Sequence, residues 1–333
     1  MPGENAVSEQ AHGLVAAMER HQVAVYVAAM ATGALVGWTV PAVGPGLEHA
    51  INPVLAALLY VTFLQVPVAE LGRSLRAGRF LTAVLVVNFL VVPLVVAAMF
   101  AFLPADQAVR MGVLLVLLTP CVDYVIVFSS LAGGSSQRLL AATPLLLLLL
   151  LAQMLFLPGY LYLFMGSELT TIVEPGPFIE AFLVLIVIPL TLAWLTQAWA
   201  ARRSVGRKAA DAMGTAMVPL MAATLLTVVA SQVPKLGNHL GKVAQVVPFY
   251  VLFLLVMAFV GLAVTRLFRL NRPDSRAIVF TGATRNSLVV LPLALALPDR
   301  LAIAAVVVVT QTLVEVIGMV IYVKAIPRLL PVR

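Results

Sequence analysis

The chain has 333 residues, of which 62% are hydrophobic and only 11% charged, with a net charge of +7. Soluble domains hold about 45–50% apolar and about 25% charged residues, so this composition excludes a soluble fold and reads as an all-α polytopic membrane protein. The basic residues are scattered over polar breaks rather than gathered into a patch, which argues against a nucleic-acid partner. A single cysteine excludes an internal disulfide and any paired-cysteine metal cage.

Residues 1–21 are polar and acidic and lack the basic and apolar regions of a signal peptide, so they read as a short cytoplasmic tail. A membrane span needs roughly 20 apolar residues. Ten segments meet that length: 22–42, 51–70, 79–103, 108–132, 138–165, 175–200, 212–233, 243–268, 276–298 and 300–325. Sixteen of the 21 Lys and Arg residues fall on the side that holds the tail, and four fall on the other. This bias places both termini in the cytoplasm and accounts for the net charge without a polyanionic partner. The short tails point to the inner (plasma) membrane of a cell. Ten spans divide into two five-helix repeats, 22–165 and 166–333. An odd-numbered unit repeated in tandem inserts with opposite orientation, the inverted-repeat plan of many secondary transporters.

Two apolar segments are interrupted at matching places. The fourth contains Thr119-Pro120-Cys121-Val122-Asp123-Tyr124, and the ninth contains Thr281-Gly282-Ala283-Thr284-Arg285-Asn286-Ser287. Pro120 removes a backbone donor and clashes with the preceding turn, and Gly282 marks the second break. Unwound backbone at membrane depth is tolerated only where protein buries it or a wet cavity adjoins it. The two breaks therefore read as halves of one central site.

Asp123 and Arg285 are ionisable groups at mid-membrane depth, a placement that usually marks function. Asp123 is the candidate proton carrier. Arg285 either holds an anion or tunes the aspartate; the alternative is a permanent pair that fixes the crossover. Glu315 in the tenth segment is a second proton candidate, or else a hydrogen-bond acceptor for unwound backbone. Cys121 is either a soft ligand or a packing residue. Thr119, Asn286 and Ser287 flank the breaks and are candidate substrate contacts. Gln65, Asn88 and Gln153 read as amides bonding between helices. No Walker A, HExxH or GxSxG sequence is present, so neither an ATP-driven pump nor an enzyme of those classes is expected. No cofactor and no resident metal is expected either.

Several of these stretches carry a family resemblance: Asn88-Phe89 with Pro93, "TPCVDYVIVFSSLAGG", "RNSLVVLPLALAL", and "LVEV" from Leu313 to Val316. They resemble the bile acid/sodium symporter superfamily, and within it the arsenical-resistance permeases that export arsenite. The resemblance implies ten helices in a panel domain and a core domain, helices 4 and 9 crossing in the core, and transport by shifting core against panel. It also implies a role for Cys121 in moving the cargo. Thr281 and Arg285 stand where sodium-coupled relatives resemble one another in a carboxylate and an amide, and Val125 and Ile126 replace oxygen-bearing residues. An arginine repels sodium, and a hard cation needs oxygen ligands.

The resulting expectation is a proton-coupled, sodium-independent exporter of arsenite or antimonite. The alternative is a proton-linked carrier of an organic or inorganic anion held by Arg285. A receptor or scaffold on a transporter fold, binding its ligand without moving it, is a third possibility. Partners are thus a small metalloid or anion, protons and the lipid bilayer.

Overall fold

The computed structural model describes residues 18, 20–65, 78–121, 124–135, 139, 153, 156–166, 175–236 and 240–331. Among them the regular structure is helical throughout. In chain order the helices are α1 (Gln22–Thr39), α2 (Gly44–Leu64), α3 (Gly78–Phe100), α4 (Gln107–Leu117) and α5 (Tyr124–Leu131). Next come α6 (Phe156–Met165), α7 (Ile179–Arg202), α8 (Ser204–Gly214) and α9 (Met217–Leu236). The last four are α10 (Leu240–Leu267), α11 (Arg272–Ala283), α12 (Ser287–Leu295) and α13 (Ile303–Leu329).

Among the described residues seven helices are long and apolar enough to cross a membrane: α1, α2, α3, α7, α9, α10 and α13. They fall on the first, second, third, sixth, seventh, eighth and tenth expected segments. The fourth and ninth segments are each two shorter helices, α4 with α5 and α11 with α12, interrupted at the two polar sequences singled out above. Most of the fifth segment lies outside the described residues, apart from Leu139, Gln153 and α6.

Two helices contain a widened π turn, at Val87–Val91 in α3 and Leu183–Val187 in α7. Each is followed two residues later by proline, Pro93 and Pro189. A proline lacks the N–H for its i−4 carbonyl and its ring crowds that oxygen. A local π turn is one way a helix accommodates such a disturbance without ending. The turn in α3 also carries Asn88, which bears on the site below.

The helices form two compact units. One comprises α1, α2, the body of α7, α8 and α9; the other comprises α3 to α6 and α10 to α13. Each unit therefore draws on both halves of the sequence. Within the second unit α13 is the most enclosed membrane-length helix, with 72% of its apolar window buried. Its buried residues run continuously from Ile303 to Thr312 and resume at Glu315 and Val316, so polar groups on this stretch need partners inside the protein. Tyr250 supplies one tie across α10 and α13, its hydroxyl donating to Val307 O at 3.0 Å.

Candidate functional site

The unwound turns of the two broken helices meet. Pro120 and Arg285 form an isolated antiparallel bridge, and the Asn286 N–H donates to Thr119 O at 2.9 Å. Backbone groups freed by one break are thus satisfied by the other, as the absence of water in a bilayer requires. Each helix runs into its break past a threonine that bonds back to its own last turn. Thr119 Oγ1 donates to Leu115 O, and Thr284 Oγ1 donates to Phe280 O, both at 2.9 Å. Such back-bonding competes with the helical ladder. A third tie comes from Gln153, whose amide donates to Leu118 O just past the end of α4.

Beyond the second break the chain re-enters a helix. Asn286 is its N-cap, with Oδ1 accepting from Val289 N at 3.2 Å. Asparagine is among the preferred caps because its short side chain reaches an N–H with no helical partner. Ser287 pairs with α13, its Oγ lying 2.7 Å from Thr312 Oγ1.

Arg285 is wholly buried, and its side chain folds back onto the helix end it follows. Nη2 donates to Thr281 O at 2.8 Å, Gly282 O at 3.0 Å and Asn88 Oδ1 at 3.0 Å. Nη1 reaches Leu117 O at 3.5 Å. Leu117 is the last residue of α4, and Thr281 and Gly282 belong to the last turn of α11. One guanidinium therefore sits against the C-terminal carbonyls of both first half-helices, where unpaired oxygens concentrate partial negative charge. Its carbon also lies 5.9 Å from the centroid of the Phe253 ring, within cation–π range.

Glu315 completes the cluster from α13. Its Oε2 accepts from the Arg285 backbone N–H at 2.8 Å and from the Gln311 amide. The Glu315 side chain is 1% exposed, so its polar atoms need partners inside the protein, and the Arg285 N–H and the Gln311 amide supply two.

Cys121 immediately follows the bridging Pro120 and is fully buried, its sulfur not part of a disulfide. Of the residues singled out in the sequence, Thr119, Pro120, Cys121, Gly282, Arg285, Asn286, Ser287 and Glu315 all lie at or beside the paired breaks. Asp123 lies outside the described residues, and so does its pairing with Arg285. Among the described residues there is no cluster of three or more His, Cys, Asp or Glu able to hold a metal ion.

Asn88 joins the site from α3 as an interhelical amide, as its place in an apolar segment suggests, and the group it bonds is the Arg285 guanidinium. Its own Nδ2 donates to Val84 O at 2.9 Å, which orients Oδ1 as an acceptor. The one signal available in the sequence was an amide in a strongly apolar segment five residues before a proline.

Residues 52–234, just over half of the chain, match the family model of the Sodium Bile acid symporter family. The chain belongs to the Sodium Bile acid symporter family. A comparison with curated proteins gives no match. Membership makes the protein a multi-pass membrane solute transporter, with a small solute and the bilayer as its partners. Within this symporter-family chain the matched segment covers Asn88 and the first break. It ends before α10, so Arg285 and Glu315 lie beyond it.

Proposed function

We propose that this family member is a sodium-independent, proton-coupled secondary transporter that exports arsenite or antimonite across the cytoplasmic membrane. In this reading it has ten spans arranged as two inverted five-helix repeats, with both termini in the cytoplasm. The observation that carries it is the seat of the Arg285 guanidinium on the carbonyls of Leu117, Thr281 and Gly282. Transporters with broken helices commonly hold a coupling cation at half-helix C-termini and unwound carbonyls. Here a covalently tethered positive charge occupies such oxygens. Sodium needs several free oxygen ligands, and the fixed guanidinium competes for them.

Cys121 supports the metalloid cargo. It offers one soft sulfur beside the crossover, and soft thiolate ligands suit soft metals and metalloids. A single sulfur contact holds such a cargo without trapping it. Asp123 and Glu315 are the proton-exchanging groups in this reading, as intramembrane carboxylates often are. The competing reading, an organic or inorganic anion held by Arg285, has less support. The anion would have to displace Asn88 Oδ1 and the carbonyl oxygens that the guanidinium already engages.

The test is arsenic retention in an arsenite-sensitive bacterium lacking its own efflux system. Wild type is expected to lower retention, whereas Cys121→Ala and Asp123→Asn at equal membrane abundance are not. Everted vesicles should accumulate arsenite equally in sodium and choline media and lose that activity when the proton gradient is collapsed. Unchanged retention with well-expressed wild type would remove arsenite as the cargo. Stimulation by sodium would remove the role given to Arg285.

A further inference from the structure

The link between α7 and α9 is a helix, not a loop, and it has two faces of different chemistry. In α8, Val205, Gly206, Ala209, Ala210, Ala212 and Met213 fall on one arc, and Arg207, Lys208 and Asp211 fall on the other. Part of the apolar arc is packed. Gly206 is buried so tightly against the end of α7 that a Cβ there would lie 2.9 Å from the backbone of Ala200 and Trp199. Tyr60 of α2 donates its hydroxyl to Met213 Sδ at 3.2 Å. The helix is thus folded back onto the end of α7 rather than hanging from it.

The other flank of the apolar arc has no protein cover among the described residues. Val205 is 64% exposed and lies beside Lys208, while Trp199, one turn before the end of α7, is 45% exposed. Arg202, Arg203, Arg207 and Lys208 are all exposed. Arg207 leans back to donate to Ala200 O at 3.4 Å. Arg202, Arg203 and Lys208 have no carboxylate within ion-pair distance among the described residues. Because α7 and α9 are both of membrane-crossing length and composition, α8 is held where their ends leave the hydrocarbon, at the level of lipid phosphates. An exposed apolar flank, a tryptophan and a row of cations at that depth are the elements of an interfacial helix.

We infer that α8, with Arg202 and Arg203, is a docking surface for the phosphate groups of anionic phospholipids. Val205 and Trp199 sit at the acyl boundary and Arg202, Arg203 and Lys208 meet the headgroups. Charge complementarity selects this occupant: the segment carries four cations against one acid, Asp211, and a bilayer offers phosphate at that height on every side of the protein. Cations near an anionic surface are attracted within about a Debye length. Sidedness of charge alone would be served by an irregular loop and does not call for a helix packed onto the end of α7 with an exposed valine.

The experiment uses the full chain reconstituted with spin-labelled phosphatidylglycerol or phosphatidylcholine as probe lipids. The motionally restricted lipid fraction gives the preference of the protein for each. Wild type is expected to prefer the anionic lipid by about threefold or more, with the preference falling as salt rises. The variant R202Q/R203Q/K208Q is expected to lose most of it, and R202K/R203K to keep it. A variant that fails to fold shows as aggregation on size exclusion; wild type in a salt titration then carries the test. Equal preference for the two lipids in wild type overturns the proposal. So does a preference that the folded triple variant retains in full, or one that salt leaves unchanged.

Discussion

Pro120 and Arg285 face each other in an antiparallel bridge that joins two broken helices at their unwound turns. The bridge is backbone to backbone, so it leaves the Arg285 side chain free to turn back along α11. That side chain caps the C-terminal ends of both first half-helices. The first prediction follows. Arg285→Gln removes the charge and strands the carbonyls of Leu117, Thr281 and Gly282, each a buried acceptor worth about 1–3 kcal/mol when left unsatisfied. It should lower the melting temperature in detergent and abolish transport. Arg285→Lys keeps the charge but not the planar fork, and should retain part of both. An Arg285→Gln protein with wild-type stability and flux would refute the capping role.

Glu315 has two separable duties, accepting the Arg285 N–H and carrying charge. Glu315→Gln keeps an acceptor oxygen and drops the charge; Glu315→Ala drops both. If the carboxylate exchanges protons, Glu315→Gln should fold normally and still show cargo counterflow, but lose the dependence of net flux on the proton gradient. Glu315→Ala should be less stable by about 1–3 kcal/mol. A Glu315→Gln variant whose flux still follows the proton gradient assigns the residue a structural duty alone.

The places where the helices break were legible because they rest on local chemistry. A proline, a glycine and clustered polar residues inside apolar runs can hardly continue a lipid-exposed helix. The long helices were equally legible, since about 20 apolar residues leave few other options. The described acceptors of the Arg285 side chain were not. Its acceptors include an amide 197 positions earlier in sequence and carbonyls of its own preceding turn, and both contacts depend on the conformation of the break. Asn88 reaches the site from α3 within a widened turn; Pro93 signals a disturbance there, but a proline alone does not specify whether the helix kinks, ends or widens. The hydrogen bond from unwound backbone to Glu315 was one of two alternatives the sequence left open, and the structure contains it.

The close approach of α4 and α13 gives the third prediction. A Cβ on Gly112 would lie 2.8 Å from Ala304 O and 2.8 Å from Val307 Cγ1. Backbone stands on one side of that contact, so a side chain cannot be absorbed by a rotamer change alone. Gly112→Ala should cost about 1–3 kcal/mol through overpacking. Because α4 leads directly into the first break, it should also reduce transport more than a similarly destabilising change in α1. Melting temperature and solute flux measured on the same preparation check this; unchanged stability would mean that the two helices can separate at little cost.

The fourth prediction concerns pH. Asp106 caps α4, with Oδ1 accepting from Ala108 N at 3.0 Å and Val109 N at 3.1 Å, while Oδ2 takes Lys242 Nζ at 2.5 Å. Partial burial pushes its pKa up, but the hydrogen bond and charge of Lys242, with the two backbone amides, outweigh this. The carboxyl is held below its ordinary 3.8. A carboxylate with a lowered folded-state pKa stabilises the fold above the unfolded value and loses that contribution as pH falls through the folded one. Asp106→Asn keeps a good cap but loses the ion pair, which is partly exposed and so contributes about 1 kcal/mol or less. Wild type should therefore be modestly more stable than Asp106→Asn near pH 7, with the difference closing as pH drops below 3.8. High salt should narrow the same gap at neutral pH, because the pair is open to screening. A gap that persists in acid would mean that the charge on Asp106 is not what stabilises the start of α4.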